Sequence, residues 1–192
     1  LVDHRKNSPL FLVLYFISGL AALSFESIWI NVLSNVLGNS AEAAGVVMFA
    51  FFLYAGLGNV AGRWFTKRTR RPLLAYGLAE LSFAVCAVLT FAWRTPAFAW
   101  FSQAISRQGG EFAGMALKYI LASALVGIPS FVAGVAMPLF FDAFVSGVED
   151  RAKRGGAFYA ANLLGAACGV WIGGYLLPKH FGFFNAFVII CL

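Results

Sequence analysis

Two carboxylic acids, Glu26 and Glu80, stand inside long apolar runs of the chain. Membrane proteins build cation sites and proton relays from acids in that setting. A charge at the centre of a bilayer costs at least about 2.5 to 3.5 kcal/mol, so each acid needs a reason to be there. No Lys or Arg lies well inside an apolar run to neutralise either one. Two chemistries follow from this. The acid binds a cation or passes a proton, or it is held protonated and hydrogen-bonds a neighbouring helix. Glu26 shares a helical face with Tyr15, Gly19, Ala22 and Trp29, and Glu80 shares one with Tyr76, Gly77 and Ala84. Such mixtures of small and aromatic residues face protein rather than lipid. Helical rise from the basic ends of their segments puts Glu26 about 24 Å deep and Glu80 about 12 Å deep, too far apart to share one proton.

A second set of residues is suited to packing. Asn162, Gly165, Ala166, Gly169 and Gly173 recur at spacings of three and four, and Gly58 and Gly62 repeat the spacing. Small residues so placed let helices approach closely, and Asn162 can hydrogen-bond across such an interface. Asp142 is placed to pair with a nearby arginine. Covalent and metal chemistry find no support: His4 and His180 fall on opposite sides, and no Ser/His/Asp set or phosphate-binding glycine loop can be assembled. Cys86, Cys168 and Cys191 lie in apolar segments without metal-ligand spacing and read as small buried packing residues. The expected catalytic and metal residues are therefore none.

The elements that must carry these residues follow from composition. The 192 residues are 61% hydrophobic and only 11% charged, a balance a water-soluble domain does not keep. The expected class is all-α, a polytopic transmembrane bundle in a single domain of about six spans, each about 20 residues long. The spans are placed at 10–32, 43–64, 73–93, 119–141, 156–177 and, cut short, 181–192. Phe98, Phe101 and Ile105, in the more polar stretch between the third and fourth spans, predict a short interfacial helix on the periplasmic side, ended by Gly109 and Gly110. Pro129 predicts a kink in the fourth span and Pro178 the end of the fifth. From Phe181 to Leu192 a helix rises about 18 Å against a core of about 30 Å, so the expected polypeptide continues past Leu192.

Cations set the orientation. Arg5, Lys6, Arg63, Lys67, Arg68, Arg70, Arg71, Arg151, Lys153 and Arg154 fall on one side, against Arg94, Arg107, Lys118 and Lys179 on the other. Loops rich in Lys and Arg stay in the cytoplasm, which predicts a multi-pass protein of the bacterial inner membrane with its amino terminus inside. Arg63, Lys67, Arg68, Arg70, Arg71, Arg151, Lys153 and Arg154 are then lipid-headgroup and topology residues, and the net charge of +6 is read as favouring anionic lipid rather than nucleic acid.

Four segments in order carry a resemblance. SGLAALSFESIW (Ser18 to Trp29), GNVAGRWFTKRTRRPLLAYGLAEL (Gly58 to Leu81), GIPSFVAGVAMPL (Gly127 to Leu139) and RGGAFYAANLLGAACGVWIGGYLLP (Arg154 to Pro178) span most of the chain. Together they resemble the membrane domain that precedes the aminopropyltransferase domain in membrane-bound spermidine synthase-like proteins. The glycine and basic loop after the second span is also similar to that of major facilitator transporters, at the level of fold alone. The resemblance implies six or seven spans, often followed by a cytoplasmic Rossmann-like domain that uses decarboxylated S-adenosylmethionine, with no cofactor within this chain. Glu26, Glu80, Tyr159 and Asn162 match the family's polar positions. Phe25 stands where family members often have Tyr, which removes a hydroxyl beside Glu26.

Three functions compete on these grounds. The sequence favours a membrane anchor or assembly domain that docks a cytoplasmic domain or other membrane subunits through its glycine-lined faces. The alternatives are a transporter-like domain for a cation, polyamine or proton, with Glu26 as ligand, and the membrane half of an aminopropyltransferase.

Overall fold

A computed structural model describes residues 8–38, 40–107, 110–144 and 148–191, and side chains within these except at Ser8, Ser40 and 148–154. Every regular element among the described residues is helical: α1 (Ser8–Leu37), α2 (Ser40–Thr66), α3 (Pro72–Ser106), α4 (Glu111–Ala122), α5 (Ile128–Phe144), α6 (Val148–Trp171) and α7 (Leu177–Cys191). One turn of π-helix joins α4 to α5 (Ser123–Gly127), and another joins α6 to α7 (Ile172–Leu176). Five continuous rods, Pro9–Leu37, Ala41–Thr66, Pro72–Ser106, Glu111–Phe144 and Gly155–Cys191, are long and apolar enough to cross a membrane. Leu10, Val60, Leu81, Leu89 and Leu164 are each more than half exposed on their outer faces, as lipid-facing side chains are. The chain is an all-α bundle of membrane type.

The glycine stripes pair the helices. A Cβ on Gly165, Gly169 or Gly173 would run into Phe16, Leu20 or Ser24 of α1, and the rising numbers on both helices make α1 and α6 parallel. A Cβ on Gly58 or Gly62 would strike Phe131 or Val135, and one on Gly134 the carbonyl of Ala55, so α2 and α5 are likewise parallel and in backbone contact. Ser24 Oγ donates to the Gly169 carbonyl (2.9 Å), and Asn162 Nδ2 donates to the Tyr15 carbonyl (3.0 Å). Asn162 therefore takes the cross-helix role its setting implies.

Several boundaries differ from expectation. Residues 95–106 form no separate interfacial helix. They extend α3 through Pro96, with Ala97 and Phe101 buried against the bundle. Residues 111–118 open α4 rather than lying in the interface, while Gly109 is outside the described residues and Gly110 caps α4. Pro129 interrupts its rod through the π turn just before it, a usual way of accommodating a missing backbone N–H. Pro178 does not end the fifth span, because a π turn again precedes it and helix continues to Gly182. Pro178 withdraws the N–H that an α-helix would offer to the Gly174 carbonyl, and Asn31 Nδ2 of α1 donates to that oxygen instead (3.1 Å). Cys168 is exposed, not buried.

At Gly182 (φ 72°, ψ 165°) the chain turns back. Phe187 stacks on Phe91 (4.1 Å) and meets Phe25 and Trp29, while Ile190 and Cys191 lie beside Leu14, Ser18 and Glu80. Residues 183–191 thus run back along the levels of α1 that α6 has climbed, within the last rod.

Candidate cation site

Two aromatic clusters close the bundle at its ends. Tyr15 stacks on Phe140 (4.0 Å) near the basic loops, with Phe11, Tyr76, Phe144 and Phe158 around them. Phe25, Trp29, Phe83, Phe91 and Phe187 fill the far end. Between the two parallel pairs, α1/α6 and α2/α5, lies a cleft of about 360 Å³. Its walls are α1 from Tyr15 to Leu23, α2 from Phe51 to Asn59, α5 from Ala133 to Met137 and α6 from Asn162 to Ala166. Small side chains leave the space: Ser18, Gly19, Ala22, Ala55, Gly56 and Gly134 contribute little volume. Nearer the basic loops a second cavity of about 580 Å³ is lined by Arg63, Thr66, Pro138, Phe141 and Asp142. Asn59 and Met137 line both cavities, and Asn59 Nδ2 donates to Met137 Sδ (3.2 Å) where they meet.

Glu26 sits one helical turn beyond Ala22 on the same side of α1, past Leu23, the last α1 residue that lines the cleft. It is 1% exposed, and neither carboxyl oxygen has a hydrogen-bond partner among the described residues. Trp29, one turn further on, is completely buried and its Nε1 is also without a partner. Beyond them the bundle is solid, with Leu33, Ala43 and Val47 fully buried. Buried polar atoms are nearly always paired, so two orphans on one helical face single out this place among the described residues.

Glu80 has the opposite surroundings. Ser18 Oγ of α1 donates to its Oε1 (2.8 Å), and Tyr76, one turn earlier on α3, lines the same cavity. A cavity of about 430 Å³, lined also by Leu14, Leu73, Ile190 and Cys191, adjoins it. Glu80 therefore satisfies the expectation of an acid tied to a neighbouring helix, and Glu26 does not.

The remaining expected residues divide by place. Gly58, Gly62, Gly165, Gly169 and Gly173 are used inside the bundle, and Asn162 both packs and lines the cleft. Arg63 is at the basic-end cavity, Arg68 stacks on the Trp64 ring (3.4 Å), Lys67 is exposed, and Arg70 and Arg71 line a shallow hollow beside Leu74 and Leu78. Asp142 shares the cavity of Arg63 without an ion pair among the described residues. The side chains of Arg151, Lys153 and Arg154 lie outside those described. Ser18 and Asn59 emerge as site residues from the structure alone, whereas Tyr15 and Trp29 were already placed on the face of Glu26. A polar amide in an apolar run was the available signal for Asn59, and nothing distinguished Ser18 from other serines. No group of three potential metal ligands occurs among the described residues. Comparison with family models, curated proteins and solved structures finds no match, so the resemblance to spermidine synthase-like membrane domains rests on its four segments.

Proposed function

We propose that this chain is a proton-translocating membrane domain in which Glu26 is the proton-binding group. The observation that carries the reading is the fully buried Glu26 carboxyl, unpartnered among the described residues, one helical turn past a cleft between two helix pairs. The neighbouring Trp29 indole N–H narrows the species. A ligand that satisfies both groups must accept a hydrogen bond from the indole and donate one to the carboxylate. An ammonium group donates only, whereas water or hydronium-bearing water does both. This favours a proton delivered through water over a polyamine. The cleft has room, since a water occupies about 30 Å³ of liquid.

The glycine stripes weigh less for docking than their sequence suggests, because each meets a helix of the same chain. An anchor that holds other subunits or a cytoplasmic domain would need other faces. No observation among the described residues favours the aminopropyltransferase reading. The ten-to-four distribution of cations favours the basic end facing the cytoplasm of a bacterial inner membrane.

The test is flux of protons into liposomes carrying the purified chain and an enclosed pH indicator, driven by a potassium diffusion potential. Wild type should exceed empty liposomes, and Glu26→Gln should lose at least tenfold while its gel-filtration profile and melting are unchanged. Flux equal in wild type and Glu26→Gln, or absent from wild type, overturns the reading.

A further inference from the structure

Ser18 is the one polar side chain that lines both the central cleft and the cavity of Glu80. Its Oγ donates to Glu80 Oε1 across the α1–α3 boundary, so a single hydroxyl separates cleft from carboxyl. Ser18 lies eight residues before Glu26, about 12 Å towards the basic end, well within the length of the cleft. We infer that Glu80 is a second proton-binding site, in exchange with the cleft through the Ser18 hydroxyl. The inference rests on the reading that the cleft carries protons.

The step conserves atoms and charge. A hydronium in the cleft gives one proton to Ser18 Oγ as the original hydroxyl proton passes along the existing hydrogen bond to Glu80 Oε1. The products are water, an intact serine and a neutral carboxylic acid. The reverse step returns the proton to water. The other titratable groups at Glu80 are the hydroxyl of Tyr76 on its own helix, the hydroxyl of Tyr15 on α1 and the thiol of Cys191 on α7. Tyr76 lines the Glu80 cavity and not the cleft. Tyr15 lines the cleft but does not bond Glu80. Ser18 alone does both.

Infrared difference spectra of the chain in liposomes, between acid and alkaline buffer, read each carboxyl as the C=O band of its neutral form. The expected spectrum holds a Glu80 band, absent from Glu80→Gln, and a Glu26 band, absent from Glu26→Gln. After mixing into D2O, Ser18→Ala should slow the isotope shift of the Glu80 band at least tenfold, and Ser18→Thr, which keeps a hydroxyl, should restore it. The cleft is tested separately at Gly56, which lines it and has open space around it. In a chain with Cys86, Cys168 and Cys191 replaced by alanine, Gly56→Cys labelled with a bulky maleimide should slow the same shift at least tenfold. A missing Glu80 band, or wild-type exchange in either Ser18→Ala or the labelled protein, overturns the inference. A missing Glu26 band instead defeats the proposed function and leaves the Glu80 result to stand by itself.

Discussion

Replacing Gly165 with alanine tests the parallel α1/α6 pair at its tightest point. A Cβ at that position would overlap the Phe16 carbonyl oxygen, and a backbone atom cannot step aside as a side-chain tip can. Relief requires α6 to move away from α1, which loosens Gly169 against Leu20 and Gly173 against Ser24, the next contacts at spacings of about 6 Å. Overpacking of this kind costs about 1 to 3 kcal/mol. Alanine returns about 1 kcal/mol through better helix propensity, leaving a net loss of roughly 0 to 2 kcal/mol. Gly77→Ala in α3 is the matched control, because nothing lies within 4 Å of its added Cβ and only the propensity gain remains. The two variants share that gain, so Gly165→Ala should be less stable than Gly77→Ala by the overpacking cost, about 1 to 3 kcal/mol. Reversible unfolding by SDS in mixed micelles, followed by circular dichroism, measures both against one baseline. Equal stabilities for Gly165→Ala and Gly77→Ala would refute the pairing of α1 with α6 through Gly165.

Gly182→Ala should destabilise the return of the last segment by about 1 to 3 kcal/mol, since its φ and ψ fall where other residues are strained; a melting curve equal to wild type counts against the turn. Asn31→Ala should cost about 0.6 to 1.7 kcal/mol, the range of hydrogen bonds between membrane helices. The loss should shrink in a Pro178→Ala background, where a backbone N–H is again on offer near Gly174, and a double-mutant cycle with no coupling would contradict that account. Lys118 Nζ bonds Glu42 Oε1 (2.5 Å) with both side chains partly exposed, so Glu42→Gln should cost less than about 1 kcal/mol. A larger loss would mean the pair lies deeper than its exposure implies. Trp29→Phe keeps the buried ring and removes the indole N–H, and should lower proton flux while leaving stability within about 1 kcal/mol; unchanged flux would separate Trp29 from the site.

Helix class was legible because it depends on composition summed over long stretches, which no single contact can overturn; the basic stretch 149–154, expected as a loop, is instead part of α6. The glycine stripes were legible for a similar reason: spacings of three and four place them on one face whichever helix they meet. Their partners were not. Gly165 meets Phe16 some 150 positions earlier in the chain, and a stripe that joins two helices of one bundle reads like one that joins two proteins. Pro129 and Pro178 misled in a definite way. Each removes a backbone N–H, but the consequence depends on whether a π turn or a distant side chain such as Asn31 absorbs the loss. The stretch after Trp93 misled because its polarity was weighed without the neighbours that bury Ala97 and Phe101.

Glu26 and Glu80 show what decides between structure and chemistry at an acid in an apolar helix. The residue type is the same, each shares its face with small and aromatic residues, and no cation lies near either in sequence. Glu80 accepts a hydrogen bond from a serine on α1 62 positions away and shares its cavity with a tyrosine one turn before it. Glu26 lies beside the aromatic far end, where the Trp29 indole N–H on its own face is a donor equally unsatisfied among the described residues. An isosteric apolar residue in this closed core would leave no polar atom to satisfy, so packing alone gains nothing from the Glu26 carboxyl. The Glu26→Leu exchange makes the argument measurable: it should raise stability or leave it unchanged while proton flux is lost, and a protein destabilised by more than about 2 kcal/mol would return Glu26 to a structural role.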